Sequence, residues 1–197
     1  MNSDKLNPSG EIPDKPREEL GSSPVSFGER ENVGNGESVS DTVEIWKYKS
    51  NQEHRLLLQF YVFCKQEDKE LLLQFIRTQF NIMQDDIKAF RMDEINPINS
   101  VVKYLEDNAE NLTAIKSDKI MLIVEGFGDL VKNISGEASH GYNQVISEFE
   151  YERRNPYQKA GKKIVLITIV TNEDPNFKQA IRSAAFSQFK DGVLELK

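Results

Sequence analysis

Lys163-Ile164-Val165-Leu166-Ile167-Thr168-Ile169-Val170 stops abruptly at Thr171-Asn172-Glu173-Asp174, and Lys119-Ile120-Met121-Leu122-Ile123-Val124 stops in the same way at Glu125-Gly126. Runs this short and this apolar read as strands buried on both faces, the pattern of a parallel sheet covered by helices. In such sheets ligands sit beyond the carboxyl ends of the strands, where both polar clusters would lie.

Working outward, the elements alternate. Leu56–Phe63 reads as a first buried strand, preceded by a short extended piece at Val43–Tyr48. Glu67–Phe80 carries Leu71, Leu72, Phe75, Ile76 and Phe80 at helical spacing, and Ile87–Met92 makes a brief second strand. Asn96-Pro97 opens a helix lined by Ile98, Val101, Val102 and Leu105, with the proline where its missing donor costs least. Tyr142–Arg154 and Phe177–Phe189 read as further helices, and Gly192–Leu196 as a closing strand. The alternation predicts a three-layer α/β domain with a mainly parallel sheet and helices on both faces.

Residues 1–42 differ in composition. They hold four of the seven prolines and five of the eleven glycines, with only scattered aliphatics. So little apolar surface does not offset the entropy of ordering, so 1–42 is expected to be a disordered acidic arm and 43–197 the folded domain. The arm has nine acidic and four basic residues, a net of −5 out of the chain's −7, which leaves −2 for the remainder. A near-neutral body does not suggest a broad nucleic-acid footprint. The single cysteine, Cys64, excludes an internal disulfide and a cysteine-based zinc cluster, and follows an apolar run as a core thiol would. No N-terminal stretch resembles a signal peptide and no run approaches a membrane-spanning helix. The expectation is a cytoplasmic protein without a membrane partner, or a nuclear one if the source is eukaryotic.

Residues 119–196 resemble the C-terminal part of the core of RecA-type ATPases, closest to the KaiC and archaeal-recombinase branch. The resemblance rests on Met121-Leu122-Ile123-Val124-Glu125, on the second aliphatic strand ending in Thr171-Asn172, and on Asp191-Gly192-Val193-Leu194-Glu195-Leu196. It implies a role for Glu125 in ordering metal-bound water at a nucleotide, and for Asn172 in sensing the terminal phosphate. Glu125 stands where the family usually has aspartate, and magnesium's strict octahedral geometry makes that extra methylene count. The simpler reading makes both residues solvated caps of strand ends.

The family's phosphate-binding loop, Gly-x-x-x-x-Gly-Lys-Ser/Thr after the first strand, is absent. The corresponding turn is Cys64-Lys65-Gln66-Glu67-Asp68-Lys69-Glu70, and no glycine occurs from Val43 through Glu125. Without glycines the backbone cannot wrap phosphates, and the turn's three acids would repel them. Gly161-Lys162 precedes a strand and cannot substitute. ATP hydrolysis and a bound cofactor are therefore not expected.

Other clusters along the chain also bear ionisable groups. His140 with Glu125 and Asp129 would need hydrogen-bond proximity to act hydrolytically, and His54 and His140 have no metal-ligand partner at helical spacing. Asp93-Glu94 adds acid to the expected ligand edge, while Glu148, Glu150, Glu152, Arg153 and Arg154 read as a solvated helix face. Arg153, Arg154, Lys159, Lys162 and Lys163, interleaved with Tyr151 and Tyr157, are candidate nucleic-acid contacts. Trp46 and Tyr48 would anchor the arm or meet a partner. The leading expectation is a loop-less RecA/KaiC-like regulatory or scaffold protein, working through a protein partner that is an active relative or a second copy. The alternatives are a recombination accessory module touching DNA, or a weak nucleotide binder or hydrolase.

Overall fold

The computed structural model describes residues 27–52, 55–93, 95–133, 138–152, 155–185 and 190–196. The chain runs α1 (Val39–Asn51), β1 (Leu57–Cys64), a 3-10 turn (Gln66–Asp68), α2 (Lys69–Phe80), β2 (Ile87–Arg91), α3 (Pro97–Asp107) and α4 (Ala109–Thr113). It continues with β3 (Lys119–Glu125), α5 (Phe127–Asn133), α6 (Ala138–Glu152), α7 (Asn155–Lys159), β4 (Lys163–Thr171), α8 (Phe177–Ala185) and β5 (Gly192–Glu195). The five strands form one parallel sheet in the order β2-β3-β4-β1-β5.

The aliphatic runs sit in the middle of that sheet. Every residue of β1 is buried, as are the interiors of β3 and β4, so alternate side chains enter two separate cores. Leu58, Phe60, Val62, Met121, Ile123, Val165 and Ile167 pack under α1 and α2. Leu57, Tyr61, Phe63, Ile120, Leu122, Val124 and Leu166 pack under the helices of the opposite face, from α3 to α8. The expected three-layer arrangement is therefore what forms, with every strand pair parallel.

Three expectations are corrected. Val43–Tyr48 is not extended; it lies within α1, where Val39, Val43, Trp46 and Ser50 recur at helical spacing and are buried. Ser38 caps that helix by accepting from the Asp41 N–H at 3.0 Å. Trp46 then stacks on Phe60 with ring centroids 4.3 Å apart.

The folded body also begins before residue 43. Phe27 and Val39 are fully buried against the α2 face. Asn32, also fully buried, fastens this segment to the outer edge of β5. Its amide donates to the Val193 carbonyl at 3.1 Å and its Oδ1 accepts from the Glu195 N–H at 2.9 Å. Residues 1–26 of the expected arm lie outside the described residues.

Glu150, the third correction, is not on a solvated face. It is buried, accepts the Leu56 N–H at 3.1 Å and pairs with Arg55 at 3.5 Å, tying α6 to the start of β1.

Candidate functional site

Parallel strands all present their carboxyl ends on one edge, and there the turns after β1, β2, β3 and β4 enclose a cleft of about 330 Å³. Glu125 closes β3 and Thr171 closes β4, the neighbouring strand. Gly126 follows with φ +88°, a conformation that suits glycine and lets the chain turn directly into α5.

Glu125 lines the cleft, as its place at a strand end implies. Its carboxylate is paired with the Lys69 ammonium, which projects from the first residue of α2. Arg91, the last residue of β2, pairs with Asp129 on α5 at 2.7 Å. Glu173 and Asp174 complete the acidic side of the lining. Asp174 lies so close over Gly128 that a Cβ there would fall 1.9 Å from its Oδ2, so the β4–α8 turn rests directly on α5. Its Oδ1 accepts from the Asn176 N–H at 2.7 Å, which holds the turn closed.

Asn172 lies beside the cleft and is already engaged. Its Oδ1 accepts from the Gln66 N–H at 3.0 Å, and its own N–H donates to the Cys64 carbonyl at 3.0 Å. Both bonds join the end of β4 to the turn after β1, so Asn172 caps that turn.

The acids of the turn do not face the cleft. Asp68 pairs with Arg30 at 2.6 Å and Glu67 lies 3.9 Å from Lys65, both on the side toward β5 and the N-terminal segment. What the turn does contribute to the cleft is Gln66 and a cation, Lys69. Sequence reasoning missed Lys69 and Arg91. The available signal was positional: each sits where a parallel strand hands over to its following segment, the edge at which all such side chains converge.

The remaining candidates disperse. Asp93 turns its carboxylate onto the N–H groups of Ile95 and Asn96, at 2.7 and 3.2 Å, and these bonds lower its pKa. It lines a separate groove beside β2. Lys162 donates to the Ser117 carbonyl at 2.7 Å, and Lys163 to those of Gln52 and Ser50 at 2.6 and 3.0 Å. Tyr157 is buried and bonds the Leu105 carbonyl, whereas Lys159 and Tyr151 are exposed. Arg153, Arg154, His54 and Glu94 lie outside the described residues, as does the side chain of His140. Cys64 is a buried core thiol; burial, aided by the charge of Asp68, pushes its pKa up to about 12.

Chemically, the cleft offers two cations and four carboxylates, with both cations already matched. Among the described residues no cluster of histidine, cysteine or carboxylate side chains is arranged to hold a metal ion, and no helix is long and apolar enough to cross a membrane. No protein-family model matches the chain, and no curated protein sequence matches it significantly.

Proposed function

We propose that this protein is a RecA/KaiC-like domain without a phosphate loop, and that it acts by binding another protein rather than by catalysis. The observation that carries the reading is the cross-bracing of the strand-end cleft. Lys69 and Arg91 are the groups an anionic substrate would need, and each is held by a carboxylate of the same wall. Asn172, the residue expected to sense a phosphate, holds the β1–α2 turn instead. Glu125 ends β3 and Asn172 follows the end of neighbouring β4, beside the turn after β1, which supports the family resemblance while leaving the site occupied by its own side chains.

The nucleic-acid reading has less behind it. Of its basic cluster, Lys162 and Lys163 are bound to backbone carbonyls, and only Lys159 is described as exposed.

The test is a thermal-shift titration of the full chain with ATP and ADP, with and without magnesium. A ligand that binds only the folded state must raise the melting temperature by mass action. The expected result is no shift at millimolar nucleotide. A saturable rise would overturn the non-catalytic reading and return Glu125, Asn172 and Lys69 to the role of a binding site.

A further inference from the structure

The two edges of the sheet are treated differently. The outer edge of β5 is covered by the segment that Asn32 fastens, with the Val33 N–H donating to the Glu195 carbonyl at 2.8 Å. The outer edge of β2 is paired with no described residue. The Met92 N–H donates to Glu125 on β3 at 2.9 Å. In a parallel ladder successive residues point their backbone groups to opposite sides, so Ala89 and Arg91 present their N–H groups outward, and Ile87 and Ala89 their carbonyls. The Ile87 N–H is already bonded to the Gln84 carbonyl.

We infer that this edge pairs with β2 of a second copy of the chain, antiparallel about a two-fold axis at Ala89, to give one continuous sheet across a homodimer. This register uses every outward group just named. Each Ala89 exchanges its N–H and carbonyl with the other, and each Arg91 N–H meets the Ile87 carbonyl opposite. Within β2 it sets no like charges against each other, since Ile87 faces Arg91 and Lys88 faces Phe90, while beyond the strand Asp85 comes opposite Asp93.

The side chains on that face fit in the same register. Beside Phe90 runs a groove of about 270 Å³ between β2 and α3, lined among others by Tyr104, Asp93, Asp107 and Lys103. Phe90 and Tyr104 form its aromatic wall, with ring centroids 4.7 Å apart. Lys88 lies on the same face of the strand as Phe90, and its ammonium donates to the Asp85 carbonyl at 2.9 Å. Opposite Phe90, the second copy's Lys88 would lay its stem over the aromatic wall and its charge near Asp93 and Asp107. Met83 and Ile95, exposed 73% and 95% at the two ends of the edge, would each be brought toward the other copy's opposite end and covered. A second copy thus supplies a matching donor, acceptor, cation and apolar flank. The inference stands on this edge alone and does not depend on what the cleft binds.

The test combines mass with a register-specific link. Sedimentation equilibrium of the full chain, at concentrations on the order of tens of micromolar, should give twice 22.6 kDa. Ala89→Cys should oxidise to a covalent dimer, because hydrogen-bonded antiparallel partners lie about 5.5 Å apart at Cα, within disulfide reach. The native Cys64 is buried and does not compete. Lys88→Glu should weaken self-association by about tenfold or more, by facing a carboxylate toward Asp93 and Asp107. Ala89→Pro should be monomeric with an unchanged circular dichroism spectrum, since an outward N–H is not used within the fold. A monomeric wild type whose Ala89→Cys variant stays unlinked would overturn the inference. So would a dimer that neither Lys88→Glu nor Ala89→Pro weakens.

Discussion

Asn32→Ala is expected to destabilise the fold more than most single changes. Asn32 is fully buried and all its bonding capacity is used. The amide nitrogen donates to Thr42 Oγ1 at 3.2 Å and to the Val193 carbonyl at 3.1 Å. The carbonyl oxygen accepts from Gly34 at 3.2 Å and from Glu195 at 2.9 Å. Truncation leaves the Val193 carbonyl and the Glu195 N–H unpaired in a partly buried edge strand, at roughly 1–3 kcal/mol for each group that water does not reach. Allowing for partial hydration of both, the loss is about 3 kcal/mol. For a domain of this size that is a fall of roughly 6–12 °C in melting temperature. Urea unfolding followed by far-UV circular dichroism measures it directly, as a lowered midpoint at an unchanged slope. The control is Asn35→Ala, whose exposed side chain bonds exposed Glu37 and whose cost should stay within about 0.5 kcal/mol. If Asn32→Ala stays within about 1 kcal/mol of wild type, the claim that this segment belongs to the folded body is refuted.

Three further outcomes follow from the packing and the charges. Gly192→Ala puts a Cβ 2.2 Å from Trp46 Nε1, and Trp46 cannot retreat because it lies on Phe60; the expected loss is about 1–3 kcal/mol, with altered emission from the single tryptophan, and unchanged stability would contradict it. Lys69→Met breaks the pair with Glu125, whose side chain keeps 35% exposure, so stability should change by no more than about 1 kcal/mol in chemical denaturation; a loss above about 2 kcal/mol would show that water does not screen the pair. Stability should fall in alkali. The folded-state pKa of Cys64 is raised to about 12, so above the unfolded thiol's value near 9 the unfolded chain releases its proton first, and stability declines by up to about 1.4 kcal/mol per pH unit until the folded thiol titrates. The buried hydroxyls of Tyr61 and Tyr142 are raised by burial and act in the same direction. Urea midpoints between pH 8 and 10.5 that rise with pH would contradict this, and Cys64→Ala should show a shallower fall.

The sheet was legible because burial on both faces leaves a strand no polar position, and β1, β3 and β4 therefore read as unbroken aliphatic runs. The N-terminal boundary was not. Residues 27–38 join the body through buried Phe27 and Asn32, the Arg30–Asp68 pair and the Val33 N–H, none of which makes a periodic pattern. Helix α1 was hidden because Val43–Tyr48, taken alone, is rich in the β-branched and aromatic residues that favour strands. The stripe that decides its conformation, Val39, Val43, Trp46 and Ser50, begins inside the supposed arm. Glu150 shows the same limit for charge: on a helix of alternating acids and bases, only tertiary placement beside Arg55 and the Leu56 N–H distinguishes a buried carboxylate from a solvated one. Glu125 and Asn172 could be found from the strand ends alone. Lys69 and Arg91 carried only the positional signal of that edge, and a lysine among acids in a turn looks solvated until the strand order brings it against β3.

That strand order also bears on how the cleft behaves. An anion reaching Lys69 or Arg91 would have to share each cation with Glu125 or Asp129. It would also sit in a wall that carries Glu173 and Asp174. The ligand would thus gain part of an ion pair already made and add repulsion from the acids around it. In solvent-exposed geometry an ion pair is worth about 1 kcal/mol or less, too little to offset that repulsion together with the loss of the ligand's own hydration. Glycine-rich loops avoid the difficulty by offering backbone donors that no acid of the protein has already taken. In this chain the corresponding turn directs its Gln66 N–H to Asn172 and its one inward cation to Glu125, so its polar groups serve to join β1, β3 and β4 at their ends. Those bonds brace the edge on which ligands of parallel sheets usually depend, and a braced edge with both its cations paired is the fixed shape that the proposed recognition by another protein would use.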